Sequence, residues 1–492
     1  MSTAHGHAST HVPRSTWWAL AVLIAGMFMS LLDATIVNVA LPSIETQLNA
    51  SSAVLSWIVS GYALALGLTL IPAGRLGDRY GHKWVYFTGI ALFTLASLAC
   101  GVASSGTSLV VFRVLQGFAG GIFVPGVVAT IQILFPPQAR GKAFGILGAA
   151  IGLSSALGPV IGGLIFQFFG EENGWRLVFL VNIPVGIITL VAAWKLLPAD
   201  RAQRADTKKF GIDPVGILLV SAGFVALLVP LIQGESQGWP AWTFATLALG
   251  VALLVAFGFW ETAYTNRGLE PLVPPSLFRY KAFSGGVTLS LVYFAAFTSI
   301  FFTITILWQS GLGHSPLQSG LVALPFAFGT IITSSQSSKI VPRLGRNILV
   351  IGATLVAIGL FWTWLVLRNT APLELTNWML LAPLFIAGIG NGLFIAPNLS
   401  FIVATVESSY AGTASAVISA LQRVGSAVGI AVIGSVLFGT LEINGNSRLA
   451  VATGFTNAAA AAMLVSALFC VAALMLVFLL PRRAERAGAR RG

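Results

Sequence analysis

Ionisable side chains are rare inside the long apolar stretches of this chain, and Asp33 and Arg113 are the two whose positions suggest chemistry. An ionisable group in the hydrocarbon interior is costly, so each one is a functional hypothesis by default. Asp33 shares a helical face with Gly26 and Ser30, at i, i+4 and i+7. Burial disfavours a charged carboxylate whereas a nearby arginine favours it, so an aspartate that changes its contact with arginine between two states can act as a proton switch.

Arg113 shares a face with Gln116, Gly117 and Gly120 on the fourth apolar stretch. Asp33 lies about sixteen residues, roughly 24 Å, from the predicted inner end of its helix, and Arg113 lies a turn or two from the outer end of its own. The two charges are therefore predicted to reach a similar depth and to meet across a cavity. A permanent structural ion pair, or an aspartate in the headgroup zone, remains an open alternative.

A second charged segment, Gly74 to Lys83, separates two runs with almost no charge. Gly74 and Gly81 permit backbone conformations closed to other residues, so we expect ten residues to turn tightly between two helices. Asp78 is placed to cap a helix or to pair with a base such as Arg79. Because loops rich in Lys and Arg stay on the cytoplasmic side, the segment could also be no more than a topological anchor.

The fifth apolar stretch carries small residues at helical spacing, which lets a neighbouring helix approach very closely. Pro159 within it frees a backbone carbonyl and bends the helix. In membrane helices such residues more often serve packing than ligand contact. Here close packing is a candidate part of the transport mechanism, if it preserves the bend while the two halves rock. The residues predicted to form this bend are Gly158, Pro159, Gly162 and Gly163.

A candidate substrate cavity can be assembled from polar and aromatic residues inside the spans. Arg423 could contact substrate or brace its helix, and the sequence favours neither. Glu261 and Glu407 lie near predicted inner ends, so we expect both to be solvated. The residues assigned to the cavity are Gln116, Arg423, Phe294, Phe297 and Trp308.

Composition sets the class of protein around these residues. Charged residues are 9% of the chain where soluble domains have about 25%, hydrophobic residues are 56%, and the mean hydropathy is +0.89, which indicates a polytopic membrane protein. The net charge of +12 lies beside the spans, so no nucleic-acid partner is implied. Cys100 and Cys470, the two cysteines, both fall in apolar spans and are expected to pack there, so we predict neither a disulfide nor a metal site.

The apolar runs predict an all-α protein with fourteen transmembrane helices, since about twenty apolar residues span a bilayer. Two groups of six flank an extra central pair. The predicted domains are a cytoplasmic tail (1–16), a first six-helix bundle (17–197), a linker with two extra helices (198–283), a second bundle (284–480) and a basic cytoplasmic tail (481–492).

The distribution of Lys and Arg predicts that both termini are cytoplasmic. With that orientation, the outer segments hold only Arg176, Arg368 and Arg448, and the other bases outside the spans are inside. The two groups of six also look like copies, because one offset of 271 residues, from 117 to 388, also carries Gly141 onto Gly412. Parallel six-span repeats are typical of transporters whose halves rock around a central site.

Several motifs together resemble the fourteen-span drug:proton antiporters of the major facilitator superfamily. The resemblance covers nearly the entire chain, and the Asp33 motif is specific to the fourteen-span branch. The motifs are Leu32-Asp33-Ala-Thr35-Ile-Val37-Asn38-Val-Ala40-Leu-Pro42, the segment Gly74 to Lys83, Arg113-Val-Leu-Gln116-Gly117, Gly158-Pro159-Val-Ile-Gly162-Gly163, and Trp175-Arg176-Leu-Val-Phe179-Leu-Val-Asn182-Ile-Pro184-Val-Gly186.

The resemblance implies roles for single residues. It makes Asp78 and Arg79 a cytoplasmic latch of the outward-open state, Arg113 a proton-relay arginine, and Gly158-Pro159 the antiporter bend. His82 departs from the family, which usually has a base there, and Pro342 breaks the second copy of the charged segment. We expect a monomer in the cell membrane, in contact with lipids, that uses the proton gradient and no cofactor.

The leading hypothesis is therefore a proton-coupled antiporter that exports lipophilic drugs, dyes, antibiotics or related metabolites by alternating access. A proton-coupled nutrient symporter is the second hypothesis, and the Gly-Pro bend speaks against it. A polytopic membrane enzyme is the third, although no loop holds a nucleophile, base and acid together. The P-loop pattern of ATP-driven pumps is absent from the sequence. With Asp33 as the one acid placed well inside a span, we expect neutral or singly charged substrates to be preferred over dications.

Overall fold

The structure is a computed structural model in which the chain folds almost entirely into long helices. It describes residues 12–198, 213–234, 237–404, 406–407, 410–445 and 447–480. Most of the predicted N-terminal tail, the hydrophilic part of the linker and the basic C-terminal tail lie outside the described residues. Short 3₁₀ or π turns connect some of the helices.

Fourteen helices follow one another along the described part of the chain. Thirteen described segments are long and apolar enough to cross a membrane, and the bent pair Ala139–Ser154 and Leu157–Gly170 makes a fourteenth span if it is counted as one. The helices are α1 (Arg14–Leu48), α2 (Ser52–Tyr80), α3 (His82–Gly101), α4 (Gly106–Leu134), α5 (Pro137–Leu180), α6 (Asn182–Leu196), α7 (Pro214–Gln233), α8 (Ala241–Asn266), α9 (Lys281–Ile306), α10 (Pro316–Leu344), α11 (Asn347–Asn369), α12 (Leu381–Ala404), α13 (Ala411–Gly439) and α14 (Arg448–Val477).

The sixth span starts before α6. The helical path breaks at Gly170, which has φ 74° and ψ 177°, a conformation that favours glycine. The apolar span that follows is Glu172–Leu196, so it contains the end of α5 and all of α6.

Helices α1–α6 pack against one another, as do α9–α14, and we call these groups the first and second halves. The halves meet along two seams, α5 with α10 and α2 with α13. Glycine makes the second seam close, because a Cβ on Gly74 would lie 2.5 Å from the carbonyl oxygen of Gly412. Helices α7 and α8 pack mainly on each other, and α7 touches α2 and α13.

Candidate functional site

Asp33 and Arg113 are in direct contact in the interior of the first half. Arg113 Nη1 donates to Asp33 Oδ2 at 2.6 Å, and the side chains are 0% and 1% exposed respectively. The sequence predicted that the two charged groups lie at a similar depth, and their contact shows that they do. The structure does not show a cavity between the two charges, because they touch.

Arg113 has further acceptors that hold its guanidinium in place. Its Nε donates to the carbonyl oxygen of Ile58 at 3.0 Å, and Nη1 also donates to Gln116 Oε1 at 2.6 Å. The guanidinium carbon lies 4.2 Å from the ring centre of Tyr62, a cation–π distance. The Tyr62 hydroxyl hydrogen-bonds to Ser30. The arginine is therefore held by groups of α1, α2 and α4.

Two neutral amides, of Gln116 and Asn182, donate to the Asp33 carboxylate, and Ser97 accepts a hydrogen bond from each of them. Gln116 Nε2 donates to Asp33 Oδ1 at 2.9 Å, and Asn182 Nδ2 donates to the same oxygen at 2.8 Å. Both amides also donate to Ser97 Oγ. We call Asp33, Ser97, Arg113, Gln116 and Asn182 the Asp33 cluster; it joins α1, α3, α4 and α6.

Gln116 was expected on a cavity wall, and the structure corrects this. It is fully buried, and its amide is used within the Asp33 cluster because it lies one turn from Arg113 on α4. Sequence reasoning gave Ser97 and Asn182 no role. The available signal for Asn182 was a lone amide in the apolar motif from 175 to 186.

Asp78 joins the two halves at the end of the bundle where α2 finishes and α13 begins, which we call the Asp78 end. Its carboxylate accepts hydrogen bonds from the backbone N–H groups of Gly412 at 2.8 Å and Thr413 at 2.9 Å, and from the Thr413 hydroxyl at 2.8 Å. A carboxylate at a helix N-terminus also interacts favourably with the helix dipole. Asp78 thus caps a helix, as predicted, and the helix belongs to the other half.

Two further contacts join the halves at this end. Gln132 Nε2 donates to the carbonyl oxygens of Val403 at 3.2 Å and Val406 at 3.0 Å. The Ser415 hydroxyl donates to the carbonyl oxygen of Pro125 at 2.7 Å. Together with Asp78, they hold α2 and α4 against α12 and α13.

The segment Gly74 to Lys83 is helical rather than a ten-residue loop. Helix α2 continues to Tyr80 and α3 starts at His82, so the reversal occurs at Gly81, whose φ of 92° explains the glycine. The helix continues because Asp78 is anchored on α13 and the neighbouring residues have no proline.

Arg79 makes no hydrogen bond or ion pair with the second half among the described residues. It lies in the last turn of α2 with its guanidinium carbon 5.0 Å from the Tyr80 ring centre. One turn earlier, Arg75 Nη2 pairs with Glu270 Oε2 at 2.5 Å, on the connection that follows α8. His82 is buried, with Nε2 3.5 Å from Asp78 Oδ1.

The small residues of α5 pack on two different helices. Gly158 and Gly162 face α1, since a Cβ on Gly158 would lie 2.7 Å from Thr35 Cβ and one on Gly162 would lie 3.2 Å from Ile36. Gly163 faces α10, where a Cβ would lie 2.9 Å from Leu317 Cβ. The two helical segments on either side of the break at 155–156 are inclined by 42°, about one turn before Pro159.

The aromatic residues assigned to the cavity separate into two places. Phe294 and Phe297 of α9 lie 5.5 Å apart between ring centres, and Phe297 also meets Phe301 and Phe326. Trp308 is fully buried in the π turn after α9, where its Nε1 donates to Asn377 Oδ1 at 2.8 Å. Trp308 is therefore a packed tie between α9 and the turn before α12, and not a cavity wall.

Glu261 is buried, which corrects the expectation that it is solvated. It is 1% exposed, because the connection after α8 folds back and the backbone N–H of Val273 donates to Glu261 Oε2 at 3.1 Å. The carboxyl of Asp213, at the start of α7, is its buried neighbour. A Cβ on Gly216 would lie 2.8 Å from Glu261 Oε1, so this glycine leaves space for the acid. Glu407 is exposed, as expected.

Arg423 lies near the middle of α13 with a half-buried side chain. The contacts that surround it are considered below. Among the described residues, no group of three or more His, Cys, Asp and Glu side chains is placed to hold a metal ion.

Two packed six-helix halves with extra helices and a buried ion pair define a multi-pass membrane transporter. Comparison with known proteins gives its family. The sequence model of the Major Facilitator Superfamily matches residues 23–430 and, in a second match, 291–492. The chain belongs to this superfamily, whose members are transporters rather than enzymes.

Similar proteins include several exporters and resistance proteins. The chain is 37% identical over 426 residues to the probable actinorhodin transporter of Streptomyces coelicolor, covering 86% of this chain and 73% of that protein. It is 35% identical over 432 residues to the tetracenomycin C resistance and export protein of Streptomyces glaucescens, with 86% and 77% covered. It is 33% identical over 472 residues to the puromycin resistance protein pur8 of Streptomyces alboniger, with 94% and 91% covered.

Solved structures confirm the fold. The proton:xylose symporter XylE superimposes with a TM-score of 0.65 at 15% identity, covering 97% of this chain and 98% of that chain. The human organic anion transporter MFSD10 gives a TM-score of 0.64 at 14% identity, with 94% and 99% covered.

Proposed function

We propose that this protein is a proton-coupled antiporter that exports lipophilic drugs, antibiotics or related metabolites by alternating access. The observation that carries the proposal is the Asp33–Arg113 pair, which is fully buried in the interior of the first half. The similarity to proteins named as a probable actinorhodin transporter, a tetracenomycin C resistance and export protein and a puromycin resistance protein supports export of such compounds.

The proton step follows from the hydrogen bonds of the Asp33 carboxylate. Protonation removes its charge, so the attraction to Arg113 is lost and the amides of Gln116 and Asn182 lose an ionised acceptor. These partners lie on α4 and α6, so a change of charge on α1 alters the packing of three helices. A proton can therefore bias the first half between two arrangements, which is the requirement for coupling.

Alternating access needs contacts that exist in only one state. The contacts of Asp78, Gln132 and Ser415 with the second half all lie at the Asp78 end, so the structure corresponds to the state in which that end is closed. Opening it would break the cap on α13 and leave the N–H groups of Gly412 and Thr413 without an acceptor. We therefore propose that Asp78 is the latch, with Arg75 supporting it through Glu270.

The Asp78 end is proposed to face the cytoplasm, with both termini inside, because Lys and Arg crowd that side. A single cysteine at Gln237 should then react with an impermeant thiol reagent in intact cells. Cysteines at Thr207 and Ala487, which lie outside the described residues, should be shielded until the membrane is permeabilised. Labelling at Thr207 from outside would overturn the orientation.

The proposed energy source can be tested with purified protein in liposomes. A substrate gradient, with no other driving force, should move protons in the opposite direction, read by a pH-sensitive dye enclosed in the liposomes. The screen that supplies the substrate is reduced accumulation of dyes, biocides and antibiotics in cells that express the protein. Movement of protons in the same direction as the substrate would instead favour a nutrient symporter, and no proton movement would exclude both.

A further inference from the structure

Arg423 lies between the two halves, above the seam that closes the Asp78 end. On α13 it shares one face with Gly412 and Ala416, which pack against Gly74 of α2. It is eleven residues beyond Gly412, roughly 16 Å along the helix. On antiparallel α2, Tyr62 precedes Gly74 by twelve residues, roughly 18 Å. The two side chains therefore lie at the same depth, and they are close enough to interact electrostatically.

The guanidinium of Arg423 has no hydrogen-bond acceptor or acidic partner among the described residues. This contrasts with Arg113, whose guanidinium carbon lies 4.2 Å from the Tyr62 ring centre and which donates to three acceptors. The Tyr62 hydroxyl cannot compensate, because it is engaged with Ser30. An arginine in the membrane interior normally pairs with an acid or with backbone carbonyls, so an unpaired one marks a position where an acceptor is supplied from elsewhere.

The buried acids of the described structure do not supply that acceptor in this state. Asp33 is fully buried and paired with Arg113, which lies against the Tyr62 ring. Asp78, Asp213 and Glu261 lie near the Asp78 end, where they bind backbone N–H groups. The space between the halves is therefore electropositive at the depth of Arg423.

Aromatic rings lie close to this charge. Gly425 and Gly429 of α13 pack against the carbonyl groups of Leu291 and Ala295 on α9. This register places Phe294 one to two turns from the level of Arg423. Phe294 is half-buried and belongs to the ring cluster with Phe297, so a flat apolar body can lie against aromatic faces while its charged group reaches the guanidinium.

We infer that Arg423, half-buried between the two halves, binds lipophilic anions, meaning aromatic ring systems that carry an ionised carboxylate or phenolate, through a charge-assisted hydrogen bond. The inference rests on the proposed export function and specifies its substrate class. It revises the expectation that neutral or singly charged substrates are preferred over dications, which was drawn from Asp33 as the one acid placed well inside a span. Because carboxylates accept two parallel N–H bonds from arginine, a planar guanidinium also selects orientation.

The test compares two dyes that share a xanthene ring, the anion fluorescein and the cation rhodamine 6G, in everted membrane vesicles with an imposed proton gradient. Wild-type protein should accumulate fluorescein. Arg423→Gln should raise the apparent KM for fluorescein by roughly ten- to a hundredfold, the factor expected for one charge-assisted hydrogen bond. The KM for rhodamine 6G should be unchanged or lower. Arg423→Lys should recover part of the fluorescein transport because it restores the charge.

Arg368→Gln is the matched control, because Arg368 is exposed in the last turn of α11 and its loss should change neither KM. Fluorescence anisotropy of both dyes with purified protein gives the same comparison without turnover. Equal loss of affinity for the two dyes in Arg423→Gln would show a bracing role and overturn the inference. Wild-type vesicles that move rhodamine 6G but not fluorescein overturn the inference alone, whereas vesicles that move neither dye count against the proposed export function.

Discussion

The first half buries an ion pair at the point where the second half buries an apolar residue. The repeat offset that carries Gly117 onto Gly388 carries Arg113 onto Leu384, and both are fully buried. The main polar contacts in the interior of the second half are neutral: Tyr293 Oη donates to Asn391 Oδ1 at 2.6 Å, and Asn391 Nδ2 donates to Thr330 Oγ1 at 3.1 Å. We call these three residues the Tyr293 network.

This difference places the response to protons in the first half and a proton-independent structural tie in the second half. A network of neutral groups keeps the same charge across physiological pH, so the Tyr293 network can tie α9, α10 and α12 without responding to protons. Among the described residues, the Asp33 cluster contains the one carboxylate in the middle of the bundle, so it can respond to protons. The comparison predicts that substitutions in the Asp33 cluster affect coupling, whereas substitutions in the Tyr293 network affect stability alone.

The largest effect is expected for Asp33→Asn. The amide is nearly isosteric with the carboxylate but cannot release a proton, so gradient-driven export should fall to background. Arg113 keeps the carbonyl of Ile58 and Gln116 Oε1 as acceptors, so the cost in stability should be below the 3–5 kcal/mol typical of breaking a buried pair. Transport is measured in everted vesicles, and substrate binding is measured on purified protein.

Retained binding with lost export is the expected combination for Asp33→Asn. Full export by this variant would mean that the ion pair is structural, which was the alternative left open by the sequence. The two halves would then differ in composition without a division of function.

Parts of this arrangement could be predicted from the sequence, and the successes share a physical cause. Apolar runs and helical rise fix the depth of a residue, so the common level of Asp33 and Arg113 followed from counting along their helices. The role of Gly81 followed from its permitted dihedral angles. Neither Ser97 nor Asn182 could be placed, because a small neutral polar residue in an apolar helix has no pattern that reveals which neighbour it faces.

The errors have a different cause, which is tertiary folding at the ends of helices. Glu261 was expected in water, but the connection after α8 folds back over it. Arg75 pairs with the same connection, one turn before the Arg79 that the resemblance assigns to the latch, and the role of Arg79 stays a prediction. Trp308 was expected in the cavity, but a π turn directs it to Asn377. Helical spacing specifies a face, and it does not specify what folds over the helix end.

A smaller effect is expected at the seam between the halves, where Asp78→Asn removes the charge but keeps one acceptor. Losing part of the charge-assisted cap on α13 should weaken the closed Asp78 end by about 1.5 kcal/mol, which corresponds to roughly a tenfold shift between the two states. Turnover should slow by a similar factor, while the proton-to-substrate coupling measured in liposomes stays intact.

Arg79→Gln is the comparison for Asp78→Asn. Arg79 is half-buried and makes no hydrogen bond across the seam among the described residues, so its loss should change turnover by less than about twofold. A large effect of Arg79→Gln with a small effect of Asp78→Asn would show that the resemblance, and not the observed geometry, identifies the latch.

The smallest effect is expected for Tyr293→Phe in the second half. The substitution removes one neutral hydrogen bond to Asn391 but retains the ring, which is stacked on Phe394 with centres 3.8 Å apart. Losing one such bond costs about 1 kcal/mol of stability, and the buried Asn391 Oδ1 adds a desolvation cost of similar size. Unfolding on heating should therefore occur at a lower temperature, while the ratio of protons to substrate stays at the wild-type value. A changed ratio in Tyr293→Phe would show that coupling extends across both halves, because a neutral hydrogen bond would then be sensed by the carboxylate on α1.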